Sequence, residues 1–396
     1  MSRQFSVIGS INMDLVSQVD RFPEPGETRT GKEFGVFPGG KGANQAVALA
    51  RLGADVAMVG KVGDDVFGRR YREIFDAEGI DHEAVATEEG SNGVAAIQVN
   101  EAGENIIIYT PGANGTVDPA YLDSVRGSLG GGGNPGGGGD SPGGGQNPGG
   151  GGSPGGGSAP GGQNPGGGGG NPGGGGRPSG GGQNPGGDNP GGGGSPAGGG
   201  RPNGGGQNPG GDNPGGGGSP GGAFFLFQLE LPIKAVQRGL EICRASEGTS
   251  ILDPAPAQEL PASVLKLVDI ITPNQGEAKL LTGVQVSDEE TARQAADTLV
   301  SEGVGKVVIK AGADSAYVLS DGELTHVPGF SVDVKDTTAA GDSFNAGLAF
   351  ALGRGDNVVD AARFACAVGA LSTTAVGAQS GMPKPAAVQE LIDEQG

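Results

Sequence analysis

The sequence predicts an α/β protein with a mostly parallel central sheet, helices on both faces, a small accessory β unit, and a long irregular segment in mid-chain. Three observations carry this. Short apolar runs alternate with helix-patterned runs along most of the chain, the signature of strands covered on both faces. Two runs between residues 93 and 109 break that alternation as a hairpin. Most of the 87 glycines and 28 prolines fall between Gly130 and Gly222, a density that cannot bury enough apolar surface to offset chain entropy.

In chain order, Phe5–Ile11 reads as a buried first strand. Asn44–Leu52 is a helix opening directly after a glycine cluster, Val56–Val59 a buried strand and Phe67–Glu78 a helix. Gly93–Val99 and Asn105–Tyr109, joined by NEAGE, form the hairpin, and Pro119–Arg126 a short helix. Phe224–Leu229 is a strand followed by a helix over Pro232–Arg244. Strands at Ser250–Leu252, Ile270–Ile271 and Val307–Ile309 then alternate with helices at Glu277–Leu281 and Ala292–Glu302. Asp342–Leu352 and Asp360–Ala375 close the pattern as two helices rich in small residues.

The middle segment repeats units such as QNPGG, DNPGGGG and GGGGSP. Glycine does not recur at every third place, so a collagen helix is excluded. An irregular or polyproline-II linker is expected, with a packed bundle of polyproline-II strands as the alternative. Residues 1–129 and 223–396 then form one folded domain of about 300 residues. The accessory β unit occupies roughly 12–40 and 93–113, and 130–222 is an insert of low complexity. Lying just before the strand at Phe224, the insert sits at that strand's amino end, opposite the edge where open α/β sheets bind ligands.

The formal charge is −20. The insert holds only three acids (Asp140, Asp188, Asp212) and two arginines (Arg177, Arg201), so nearly all of the charge belongs to the folded part. Such a surface repels phosphate backbones and anionic lipid, which argues against nucleic acid or membrane as partner. It suits a high-salt cytoplasm, where strong screening tolerates dense carboxylates. The two cysteines, Cys243 and Cys366, make no disulfide framework. The opening MSRQFSVIGSINMD has no basic region followed by a sustained apolar run, and no apolar stretch is long enough to span a bilayer. A cytoplasmic protein is expected.

Polar residues just beyond strand ends should converge on one edge: Asn12, Asp14, Glu230, Asp253, Asn274, Glu277 and Gly312. Within DTTAAGDSFN (336–345), small residues precede a helix, whose free N–H groups and dipole bind anions. Ala339, Ala340 and Gly341 leave room for a phosphate, and Asp342 beside it is a candidate general base. The same spacing also fits a plain N-cap with a tight turn. GGKGAN (39–44) permits close backbone approach to a ligand, though it equally fits a structural turn, and it lacks Walker A spacing. Asn274 and Glu277 form an NxxE pair that fits either water-bound magnesium near a triphosphate or a helix start with a first-turn acid.

Taken together and in order, GSINMD, PGET, GGKGANQAVALARLGA, VGDD with FG, DPAPAQELP, ITPNQGEA with LTG, and DTTAAGDSFNAG resemble the ribokinase-like (PfkB-type) carbohydrate kinases. The likeness covers 1–129 and 223–396 and fails only at the insert. It implies a ribokinase-like three-layer α/β fold with a small β lid and a homodimer pairing its lid strands. The implied activity is phosphorylation of the primary hydroxyl of D-ribose by ATP. Fructose, ketodeoxygluconate or adenosine are the alternatives within the family, and a non-catalytic sugar-binding protein or a carrier of the insert those outside it.

The resemblance also assigns residues. Asn12 and Asp14 hold sugar hydroxyls, with Gly40, Lys41, Gly42 and Asn44 in the sugar-binding turn and Glu230 a further sugar contact. Asn274 and Glu277 serve the phosphates and Mg2+. Lys310, Gly312 and Ser315 fall in the nucleotide-binding stretch, Ala339–Gly341 are the anion hole, and Asp342 is the base. Asp336, Thr338, Ser372, Ala375, Gly377 and Gly381 match a loop holding a monovalent cation, K+. Four positions depart from the pattern. Cys366 replaces a histidine near the adenine, Lys310 a common threonine, Ser315 a common glycine, and Asp253 the asparagine of NPAPA.

Overall fold

A computed structural model describes residues 5–129, 222–312 and 315–395; the expectations for the glycine-rich insert lie outside them. The main sheet is built from β1 (Phe5–Ile8), β4 (Val56–Gly63), β5 (Val85–Glu88), β8 (Phe224–Phe227), β9 (Thr249–Leu252), β10 (Ile270–Ile271), β11 (Lys306–Lys310), β12 (Ala316–Ser320) and β13 (Glu323–Val327). Its spatial order is β13-β12-β11-β10-β9-β8-β1-β4-β5, and every pairing from β11 to β5 is parallel. β12 and β13 add an antiparallel edge, turned by Asp321 and Gly322 with φ of 53° and 82°, the geometry a two-residue hairpin requires.

Each central strand is apolar on both faces, because both are covered. In β8, Phe224 and Leu226 enter one core while Phe225 and Phe227 enter the other, the two-residue period of a pleated strand. The first core lies under α1 (Lys41–Arg51), α2 (Val66–Glu78), α8 (Ala340–Gly353), α9 (Val358–Ser372) and α10 (Pro385–Gln395). The second lies under α3 (Pro119–Ser124), α4 (Ile233–Ala245), α5 (Ala262–Leu265), α6 (Gln275–Thr282) and α7 (Glu289–Ser301). The result is the three-layer arrangement expected from the alternation.

A second sheet of order β3-β2-β6-β7 is formed by β2 (Asn12–Gln18), β3 (Glu33–Gly39), β6 (Gly93–Val99) and β7 (Asn105–Thr110). Its strands are short continuations of the main domain: β1 reaches β2 through Gly9–Ile11, and β3 runs into α1 with only Gly40 between them. One face carries Asp14, Phe37, Ala95 and Tyr109 in register; the other carries Leu15, Val36, Ala96 and Ile108. Val36 and Ile108 on that second face are exposed, as are Phe34 and Ile106. Among the described residues no helix is long and apolar enough to cross a membrane.

Several elements differ from the sequence-based expectation, among them β5 and α5, which it did not include. α8 begins at Ala340, two residues before Asp342, because Ala339 takes a left-handed conformation (φ 61°) and caps it by its backbone turn alone. β12 and β13, and also α10, were not anticipated. The Asp321-Gly322 pair was the available hairpin signal.

Candidate active site

The carboxyl edge of the parallel strands gathers the charged residues. β1 ends at Gly9 and Ser10, and α1 packs its first turn against them. A Cβ on Gly42 would lie 2.6 Å from the Gly9 carbonyl carbon, and one on Gly40 (φ 92°) 2.5 Å from the Asn12 amide nitrogen. Only glycine admits this approach. It sets Lys41 and Asn44 beside the loop that follows β8, where Glu230 accepts from Ser10 Oγ, from Asn12 Nδ2 (3.2 Å) and from the Lys41 backbone N–H (3.1 Å). Asn114 Nδ2 donates to Asn12 Oδ1 (2.7 Å), and the Tyr109 hydroxyl to the Glu230 carbonyl (3.2 Å). Asp14 projects from β2 over the same point, against Gly39.

Asp342 lies in the first turn of α8, buried, with Asn44 Nδ2 donating to Oδ2 (3.0 Å) and Gln45 Nε2 reaching Oδ1 (3.4 Å). Gln45 Oε1 accepts from Gln228 Nε2 (2.6 Å), and Asn44 Oδ1 from Gln379 Nε2 (3.1 Å). Both amides are thereby fixed with their N–H groups toward the carboxylate.

Burial pushes the Asp342 carboxyl up to about 6; Lys41 opposes this while Asp253 and Glu230 reinforce it. Asp14 is raised to about 7, first by burial and then by Glu230 and Asp342. Burial alone would depress the Lys41 ammonium, but the carboxylates of Asp342, Asp253, Glu230 and Glu277 outweigh it and raise its pKa. A half-buried lysine that stays charged among carboxylates of displaced pKa is the pattern of a functional site.

A cavity of about 580 Å³ opens from Asp342, in the range of small-molecule sites. It is lined by Ala339, Ala340 and Gly341 at the start of α8 and by Asn274, Glu277, Lys310, Gly312 and Ser315. Val334, Phe344, Ala370 and the buried Cys366 also line it. Asn274 and Glu277 form a reciprocal cap at α6, Asn274 Oδ1 accepting from the Glu277 amide and the Glu277 carboxylate from the Asn274 amide, both at 2.8 Å. Burial raises the Glu277 pKa, with Lys310 counteracting.

Beside the α8 turn, Asp336 accepts from the Thr338 amide (2.9 Å) and hydroxyl (2.6 Å) and from the Gly377 amide (2.8 Å). Burial works against its ionisation, yet the Thr338 and Gly377 hydrogen bonds hold its pKa below the usual carboxylate value. A Cβ on Gly381 would lie 2.0 Å from the Ser372 carbonyl oxygen, so the 372–381 loop, with Ala375 within it, folds tightly back on itself. Among the described residues no cluster of three His, Cys, Asp or Glu forms a metal site.

The residues proposed for the sugar group around Asn12, Lys41 and Glu230, those of the cavity group around Asp342, and those of the Asp336 loop form three adjoining sets. Gln45, Asn114, Gln228 and Gln379, which fix the others, were missed in the sequence. Each is an ordinary amide, with no signal until its partners are in place.

A family model described as pfkB family carbohydrate kinase matches residues 2–129 and 219–385. The chain is 31% identical over 394 residues to a ribokinase of Haemophilus influenzae, with 99% of each chain covered. It is 31% identical over 392 residues to a ribokinase of Bacillus subtilis, covering 98% of this chain and 99% of that one. The solved structure of a ribokinase from Thermotoga maritima superposes with a TM-score of 0.69 at 28% identity, covering 99% of both chains.

Proposed function

The chain belongs to the pfkB family of carbohydrate kinases, and from that premise we propose that it transfers the γ-phosphoryl group of ATP to the primary hydroxyl of D-ribose. The single observation that carries the chemistry is Asp342. It is buried, its pKa is raised to about 6, and it stands where the cavity wall formed by the α8 amino end meets the Asn12–Lys41–Glu230 group. The sugar occupies that group, with its primary hydroxyl at Asp342. Asp342 takes the hydroxyl proton as the oxygen forms its bond to the γ-phosphorus. The bond from phosphorus to the β–γ bridging oxygen breaks, its electrons leaving on ADP. The Ala340 N–H donates to the Thr337 carbonyl (3.2 Å), so it is the Gly341 N–H, in the first turn of α8, that faces the charge developing on the phosphoryl oxygens.

Asn274 and Glu277, capped on each other, line the cavity and would hold Mg2+ through its bound water, where the ion would supply charge neutralisation for the phosphates. The Asp336 carboxylate and the carbonyls of the 372–381 loop fit K+, which would stiffen the turn preceding α8. The second sheet acts as a lid, its Asp14 face over the sugar, excluding water as a competing acceptor. Its exposed face of Val36 and Ile108 is covered by the same face of a second copy, since an isologous contact closes both edges.

Phosphate transfer from ATP to ribose, fructose, adenosine and ketodeoxygluconate, each with K+ and with a larger inert cation, tests this. Ribose preferred and K+-stimulated is the expected result. Preference for another acceptor would overturn the ribose assignment, and absence of transfer to every one the kinase assignment.

A further inference from the structure

We propose that Lys310 contacts the phosphoryl group in transfer, as a second cation facing the amino end of α8, and that Asp253 is its positioning residue; this rests on the kinase reading above. Lys310 is the last residue of β11. Its N–H donates to the Pro273 carbonyl (2.8 Å), and its backbone bridges to Asn274, so the position is fixed by the sheet. Its ammonium is 2.8 Å from Asp253 Oδ1, with side chains 14% and 2% exposed. Two of the four departures noted in the sequence, Lys310 and Asp253, are therefore one pair in contact.

The ammonium has three donors and Asp253 accepts one. A Cβ on Gly341 would lie 3.6 Å from Nζ, so the Lys310 ammonium stands beside the first turn of α8, next to Gly341 and one residue from Asp342. The Asp253 Oδ2 accepts from Gln45 Nε2 (3.5 Å), the same group that reaches Asp342. Asp253 thus spans the base's own support and the lysine.

Electrostatic balance gives the pair its purpose. Around the cavity stand Asp253, Glu277 and Asp342, with Lys41 and Lys310 the facing cations. The Lys41 ammonium sits among Asp342, Asp253, Glu230 and Glu277, while its backbone N–H is held by Glu230 at the sugar end. A triphosphate entering beside these carboxylates needs its own counter-charge, and Lys310 supplies it at the point where the γ-phosphoryl oxygens spread their charge. A buried ion pair adds little to stability by itself, whereas an ammonium held by one carboxylate and open on its cavity side is preorganised for an anion.

The test compares the full-length parent with Lys310→Met, Asp253→Asn and the double variant. It measures turnover, the binding of ADP and of a β,γ-imido ATP analogue by calorimetry, and melting temperature. Lys310→Met should lower kcat about 10²–10³-fold, the effect of removing one preorganised donor. It should weaken the ATP analogue at least about tenfold more than ADP, with the sugar KM within about twofold. The double variant, which no longer buries an unpaired carboxylate, should recover melting temperature but not kcat. Equal weakening of both nucleotides, or recovery of kcat in the double variant, would show that Lys310 only neutralises Asp253. If the parent transfers phosphate to no sugar, the kinase reading fails, while the comparison of the two nucleotides still decides the Lys310 contact.

Discussion

At the scale of single residues, Asp342 and Asp14 are carboxyls that the fold keeps from ionising easily, for different ends. Asp342 must be ionised to accept a proton, so kcat/KM should rise with pH through about 6, the value burial gives it. Asp342→Asn should lower kcat by about 10²–10⁴-fold, the contribution of a general base, while sugar binding persists; near-normal turnover would remove Asp342 from the chemistry. Asp14 has the larger rise, to about 7. A folded-state carboxyl pKa above the unfolded value of 3.8 means that the folded protein holds the proton more tightly. The stability it contributes is complete below about pH 4 and is lost as pH rises through about 7. Thermal melting of ligand-free Asp14→Asn should therefore exceed the parent's above pH 7, by on the order of a few kcal/mol, and converge with it below pH 4, at the cost of sugar affinity. The motif residues were legible in the sequence because each needs a rare combination of types, as in DTTAAGD. Gln45 and Gln379 were not, since an amide's task depends on which neighbours the fold delivers.

Among the elements, α8 and α9 carry the first core with small residues, which lets them approach closely. A Cβ on Gly347 would stand 3.0 Å from both Cβ and Cγ2 of Val368 and 3.1 Å from Ala365 Cα. Gly347→Val should cost about 1–3 kcal/mol by overpacking, read as a lower melting temperature. Because α8 also carries Asp342, turnover should fall with it; an unchanged melting temperature would mean that the two helices part freely. The central parallel strands were legible as continuous apolar runs, whereas β5, VATE at the sheet edge with only one buried residue, was missed. β2 and β3 were visible only as part of an accessory region, because their half-exposed patterns resemble loops, and β12 and β13 hid behind a polar Asp-Gly turn. Where α8 begins was misjudged by two residues: no side chain caps it, so the sequence offers no cap to read.

For the molecule as a whole, three properties make predictions. Val36→Lys with Ile108→Lys places charges on the apolar face of the second sheet and should convert a dimer to a monomer in sedimentation; an unchanged sedimentation coefficient would refute pairing through that face. Replacing residues 130–222 by a short linker should leave kcat and KM nearly unchanged. The flanking Ala223 adjoins the amino end of β8, whereas Gln228 and Glu230 follow its carboxyl end, and loop closure entropy grows only logarithmically. A net charge of −20 predicts that activity and melting temperature do not peak at low ionic strength; a maximum there would remove the high-salt reading. The chain crosses between its two sheets at Ile11, Gly40, Asn92 and Pro111. Asn12 follows the first of these crossings, Lys41 the second, and Asn114, which anchors Asn12, lies just past the last. If the second sheet is the proposed lid, recognition and gating share one set of hinges. An acceptor that leaves Asn12 and Asp14 unengaged would then supply no free energy to draw that sheet down, and the nucleotide would stay wet and unreacted. Protection against wasting ATP on water would in that sense be inseparable from the ability to tell one sugar from another.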